Sequence, residues 1–166
     1  MEEINIKKHT KYTLELIFSE ADKHLSDVLN SILRSSNRSF YLFGLYLTVI
    51  AFSFSEILNS KYEYSVLLFG TILSSLVLKN NLFPSSRYLK GSSPIDMIIP
   101  YFNNFKNKTL EKEYLACQIQ SYNDSIENNK ELLKKMTNNY SKSFKLLIIT
   151  FLIFFIIFLI LFIKYN

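Results

Sequence analysis

Cysteine occurs once, at Cys117, and histidine twice, at His9 and His24. A lone thiol excludes an internal disulfide and fits a reducing compartment. The Cys and His spacing of a zinc site is absent, as is a glycine-rich phosphate loop, so no metal, cofactor or catalytic residue is expected. His24 has Glu20 and Asp27 one helical turn to either side, which reads as ordinary pairing on a helix surface. Cys117, within "EYLACQIQ", reads as a buried or half-buried structural thiol. Glu111, Glu113, Asp124, Glu127 and Glu131 share a stretch with lysines and read as a solvated face.

Helix breakers are scarce as well. The glycines are Gly44, Gly70 and Gly91, and the prolines are Pro84, Pro94 and Pro100. All three prolines and one glycine fall between residues 84 and 100, so the stretches on either side are free to form long helices. The formal charge of +5 is spread among 14 acidic residues rather than gathered in a stripe, which argues against nucleic acid as a partner.

What the chain has in quantity is apolar sequence in runs. Between Lys145 and Lys164 lie 18 uncharged residues, "LLIITFLIFFIIFLILFI", long enough to cross a bilayer as a helix. Insertion of such a run is worth roughly −5 to −10 kcal/mol, and a soluble helix is seldom apolar on every face. Two weaker runs lie upstream, "SFYLFGLYLTVIAFSFS" at 39–55 and "YSVLLFGTILSSLVL" at 64–78, the second extended by "NNLF" to about Phe83. The link between them is short, so they read as a transmembrane hairpin. Two core helices of a soluble bundle are the alternative. No cleavable signal peptide is expected, because the first 38 residues are polar and mixed in charge.

Orientation follows from the basic residues flanking the spans. Six precede the first span, the hairpin turn has only Lys61, eleven lie from Lys79 to Lys145, and the tail has only Lys164. This predicts a multi-pass protein of the cell inner membrane, with the N-terminus in the cytoplasm and the C-terminus outside. The expected division is a cytoplasmic amphipathic helix over 1–38, a transmembrane hairpin over 39–83, a juxtamembrane elbow with a short amphipathic helix over 84–107, a cytoplasmic heptad helix over 108–145 and a third span over 146–164.

Both cytoplasmic segments show apolar residues at alternating steps of four and three, the pattern of helix-on-helix packing. In the first they are Leu14, Phe18, Ala21, Leu25, Val28 and Ile32, widened by Ile17, Leu29 and Leu33. In the second they are Leu115, Ile119, Tyr122, Ile126, Asn129, Leu133, Met136 and Tyr140. Asn129 either fixes register as a buried polar residue or turns to water. Nothing breaks either helix before its span. The expected fold is an all-α membrane protein, with three transmembrane helices and two long cytoplasmic extensions forming a parallel stalk. The seams pack within one chain or between chains of a homo-oligomer.

Within the spans, small residues four apart at Gly44/Thr48, Ala51/Ser55 and Gly70/Ser74 suggest close helix approach. Phe151, Phe155, Phe158 and Phe162 form a ridge that faces lipid or a packing partner. No charge sits at the centre of a span, against an ion or proton relay of the carboxylate type. In the elbow, Ser93 reads as an N-cap with Pro94 at the first helical position, and Ile95, Ile98, Ile99 and Phe102 follow as an apolar stripe. Arg87, Lys90, Ser92 and Ser93 are the candidate contacts for a lipid phosphate or another anionic ligand, a plain connector on the inner leaflet being the alternative.

A polar helix leading into a hairpin, "SEADKHLSDVLNSILRSSNRSFYLFGLYLTVIAF", precedes a cytoplasmic helix with a terminal span, "YLACQIQSYNDSIENNKELLKKMTNNYSKSFKLLIITFLIFF". This layout resembles the small transmembrane effectors of bacterial anti-phage defence, the Pycsar effector family above all and SLATT-type effectors less closely. The resemblance implies that a cyclic nucleotide or a protein partner triggers assembly, after which the membrane is compromised. The expected function is a non-enzymatic oligomeric membrane effector that depolarises or permeabilises the bilayer. The alternatives are an anchor or scaffold recruiting a cytoplasmic partner through its helices, a holin-like lysis protein, and an enzyme acting on lipid.

Overall fold

The computed structural model describes residues 9–82 and 107–165, and no strand occurs among them. Three long α-helices carry the chain: α1 over Lys11–Leu58, α2 over Ser65–Leu82 and α3 over Asn107–Tyr165. Each is long and apolar enough to cross a membrane, α2 together with the 3₁₀ turn Tyr62–Tyr64 that precedes it. The expected elbow over 84–107 lies outside the described residues apart from Asn107. α1 and α3 each pass from the amphipathic segment into the span as a single helix, as the lack of Gly and Pro in those stretches predicts.

The chain divides into two compact units. One comprises Met1–Ile32 and Ser86–Leu132, the other Leu33–Ser85 and Leu133–Asn166.

In the first unit, Thr10 caps α1. Its hydroxyl accepts from the Thr13 N–H at 3.1 Å, which satisfies one of the free donors at the start of the helix. Leu14, Leu25, Val28 and Ile32 are buried on α1, and Ala116, Ile119, Tyr122 and Ile126 on α3. Each fully buried Leu or Ile contributes about 1.5–3 kcal/mol. The Phe18 ring lies 5.2 Å from that of Tyr122. Lys11 Nζ meets Glu111 at 2.8 Å, and Lys112 Nζ donates to the His9 carbonyl at 2.9 Å.

In the second unit, α1 ends in a turn that glycine usually makes. Ser60 takes φ 66°. The Lys61 N–H donates to the Glu56 carbonyl at 3.1 Å and the Ser60 N–H to that of Ile57 at 3.0 Å. These are the two bonds of a Schellman motif, with serine at the left-handed position. Lys61 Nζ closes the turn on Glu56 Oε2 at 2.6 Å.

The buried positions of the second unit again recur at helical spacing, but their chemistry changes. On α2 they are Leu67, Thr71, Ser74, Leu78 and Asn81, in steps of four and three, with Leu82 beside the last. On α1 they include Ser36, Ser39, Leu42, Tyr46 and Ser53, and on α3 Met136, Ser143, Leu147 and Thr150. In water, apolar side chains gain by turning inward. Within the apolar runs that drive is absent in hydrocarbon, and the small, hydrogen-bonding Ser53, Thr71, Ser74 and Thr150 turn inward. Apolar residues cover the outside: Phe151, Phe155, Phe158 and Phe162 are all exposed.

Candidate functional site

The feature of the second unit that brings the most buried polar side chains together is the interior among its three helices. It is built in layers. In the layer at the C-terminal end of α2, Asn81 is fully buried. Its Nδ2 donates to the Met136 carbonyl at 2.7 Å and to Ser39 Oγ at 3.2 Å, while its Oδ1 accepts from Asn139 Nδ2 at 3.3 Å. Ser36 Oγ reaches the Asn81 carbonyl at 3.4 Å. One amide thus joins all three helices with its two donors and its acceptor engaged.

One layer further along α2, Ser143 Oγ donates to the Ser74 carbonyl at 2.6 Å. That leaves its oxygen to accept from Tyr46 O–H, also at 2.6 Å. Tyr46 belongs as well to the apolar cluster of the unit, with Leu42, Leu78 and Leu147. At the next layer α2 and α3 approach closely. A Cβ on Gly70 would stand 2.8 Å from Thr150 Cβ and closer still to Thr150 Oγ1 and Cγ2. Nearest the turn, Tyr64 packs between Phe52, at 5.6 Å, and Phe154, at 5.0 Å between ring centroids.

The first unit carries a different feature, an open cleft of about 880 Å³ between α1 and α3. Ile17, Ala21, Ile119 and Ile126 supply its apolar lining, and Glu20, Lys23, His24 and Asp27 its charged and polar edge. No group of three or more metal-ligating side chains occurs among the described residues.

Most of the expected seam is buried within a single chain. Leu14, Leu25, Val28, Ile32, Ile119, Tyr122, Ile126 and Met136 are buried, and Phe18, Leu115, Leu133 and Tyr140 half-buried. Asn129 is fully buried rather than turned to water. Arg87, Lys90, Ser92 and Ser93 lie outside the described residues.

Other expectations are corrected. Of the three small-residue pairs, only Gly70 and Ser74 sit at a helix contact within one chain. Gly44 has open space around its Cα, and Thr48, Ala51 and Ser55 are exposed. The reason is register: these four lie off the α1 positions that face inward. Ile17 and Leu33, read as widening the buried stripe, are 38% and 44% exposed. Cys117 is exposed rather than buried. Partial desolvation, and then the carboxylate of Glu113, hold its thiol pKa above the ordinary value.

Sequence reasoning missed Asn81, Ser39, Tyr46 and Ser143. Asn81 stood within "NNLF" as a mere extension of a span, although an asparagine at a span end is itself a signal of a helix contact. Comparison with protein-family models, with curated proteins and with solved structures returns no match.

Proposed function

We propose that the chain is a non-enzymatic, oligomeric protein of a bacterial inner membrane, an effector that depolarises or permeabilises the bilayer when its cytoplasmic part receives a signal. The observation that carries this reading is continuity. α1 and α3, of 48 and 59 residues, each join an amphipathic segment to a span without a break. A ligand or partner that shifts the amphipathic segments acts on the membrane part through unbroken backbone. Lys11 with Glu111 and Phe18 with Tyr122 meet in the same order along both helices, which supports a parallel stalk. Only 11% of the apolar window of α3 is buried within the chain, so most of that span has lipid or a second copy as its neighbour.

The N-terminus and the long middle segment lie in the cytoplasm in this reading, and the turn at Lys61 and the C-terminus outside. A cyclic nucleotide or a cytoplasmic protein is the expected signal. Induced expression with a potential-sensitive dye tests the effector reading. Loss of membrane potential on phage challenge or on supply of cyclic nucleotides is expected. An unchanged potential under every condition refutes it.

A second reading, a membrane anchor recruiting a cytoplasmic protein, is favoured by the cleft of the first unit, whose volume lies within the usual range of binding sites. A stoichiometric partner lost with Ile17→Asp and Lys23→Glu, with the membrane potential unaffected throughout, selects this reading.

A further inference from the structure

The second unit, Leu33–Ser85 with Leu133–Asn166, is asymmetric in charge. At the end where α1 enters it and α2 leaves it stand Arg34 and Arg38 on α1, Lys79 on α2, and Lys134, Lys135, Lys142 and Lys145 on α3. The only acids of the unit, Glu56 and Glu63, lie at the opposite end, beside the hairpin turn. All seven cations are exposed, and none forms an ion pair or a side-chain hydrogen bond with another described residue.

The Asn81 layer sets their level. It joins Ser39, Asn81 and Met136, and Arg38, Lys79 and Lys135 stand within two residues of these three. Lys145 lies nine residues beyond Met136, about 13.5 Å along α3 at the helical rise. Side chains of a helix tilt toward its N-terminus, which on α3 is away from the apolar run. Lys142 and Lys145 therefore lay their stems along the helix and hold their ammonium groups at the level of the headgroups.

Beyond the lysines the outer surface of α3 turns apolar and is grooved. Lys142, Lys145, Ile148, Leu152 and Phe155 follow one another at steps of three and four, so each neighbours the next on the helix surface, and all are exposed. Ile148, Leu152 and Phe155, with Leu147, Phe151 and Phe154, line an open groove of about 450 Å³. The groove starts one helical turn from the unpaired ammonium of Lys145.

Charge decides what fits this surface. An anionic phospholipid brings a phosphate to the lysines and an acyl chain to the groove. Clusters of four to eight Lys and Arg at the end of a span attract such lipids. A second copy inserted in the same direction brings no carboxylate to this level. Its Glu56 and Glu63 lie at the other end, and its Glu131 is eleven residues before Lys142. A zwitterionic lipid fills the groove but leaves the cations unbalanced.

We propose that Lys142, Lys145 and the groove from Leu147 to Phe155 form a binding site for an anionic glycerophospholipid. The site is separate from the elbow residues Arg87 to Ser93. It depends only on the chain spanning a bilayer, and it stands under either functional reading above. Failure of the dye experiment therefore leaves it intact.

Native mass spectrometry of the full chain tests it, with release from micelles that hold equal amounts of phosphatidylglycerol and phosphatidylcholine. The chain is expected to retain phosphatidylglycerol several-fold over phosphatidylcholine, and equal retention overturns the proposal. Lys142→Gln with Lys145→Gln should bring the two lipids to near equality, while Lys142→Arg with Lys145→Arg keeps the charge and should keep the preference. Loss in both pairs, or in neither, overturns the assignment to these lysines. Phosphatidylglycerol with a diazirine in its acyl chain reads the groove. Cross-links are expected on Ile148, Leu152 and Phe155 several-fold above those on Leu45 and Leu47, which are exposed on α1. An even spread places the lipid elsewhere, and an unlabelled groove shows that a second copy fills it. Either result overturns the proposal. Should the glutamine variant misfold, the lipid preference and the cross-link map of the native chain still decide.

Discussion

The side-chain amide of Asn81 donates to the carbonyl oxygen of Met136 at 2.7 Å, and so ties the end of α2 to a turn of α3. Helix carbonyls are already used by their own helix, so this bond is a second one to the same oxygen. It is possible because Asn81 is wholly inside the unit, where no water competes for its donors. Replacing Asn81 with Leu removes three side-chain bonds at once. The expected loss is about 1–3 kcal/mol, since single polar contacts between membrane helices average near 0.6 kcal/mol and reach about 1.7. Unfolding in mixed micelles with rising detergent measures it. No change in midpoint would show the layer to be dispensable.

Gly70 is expected to tolerate no side chain. Gly70→Ala places a methyl against Thr150 and should cost about 1–3 kcal/mol by overpacking. Thr150→Ala removes the two nearest atoms but keeps the Cβ that would stand at 2.8 Å, so it should restore only part of the loss. Full rescue by Thr150→Ala, or no loss on Gly70→Ala, contradicts this contact. The same micelle assay reports both.

Ser60 is expected to be improvable. A serine in the left-handed region costs about 1 kcal/mol relative to glycine, which adopts it freely. Ser60→Gly should therefore raise the unfolding midpoint, while Ser60→Val, branched at Cβ, should lower it. Equal midpoints for the three chains would show that the turn is not held in that conformation.

Cys117 reports both topology and its surroundings. It is the only thiol of the chain and it is exposed. In the proposed orientation, an impermeant maleimide should label it in inverted inner-membrane vesicles and not in intact cells. Because its thiol pKa is raised, less thiolate is present at neutral pH than for a free thiol. Alkylation should accordingly be slow at pH 7 and climb through a midpoint above the usual thiol range. Labelling in intact cells reverses the topology, and fast reaction at pH 7 removes the assigned shift.

Much of the helix content was legible before the structure. Unbroken apolar spacing over Leu14–Ile32, and the 18-residue run after Lys145, are strong signals because each reflects many residues acting together. The inward face of the spans was far less legible. In a uniformly apolar run, hydrophobic periodicity has nothing to contrast, so Leu42 and Leu47 look alike although one is buried and the other 52% exposed. Small pairs mislead for the same reason. Gly44 with Thr48 has the spacing of a helix contact, yet such spacing says nothing about which side of the helix faces a neighbour. The turn at Ser60 gave no warning, because serine is not the residue that signals a left-handed cap. Asn81 and Ser143 become readable only once three helices are placed together, because each matters through what it meets.

The inward seam of α1 passes from Leu25, Val28 and Ile32 to Ser36 and Ser39 within a few residues. A consequence is that one exchange of residue type has opposite meanings on the two sides of that step. Leu25→Ser sets a hydroxyl in a core that water built. Ser39→Leu puts bulk where the buried Asn81 amide finds an acceptor. A single ranking of amino acids by hydrophobicity, applied along this helix, is right at Leu25 and wrong at Ser39. The sign changes between Ile32 and Ser36.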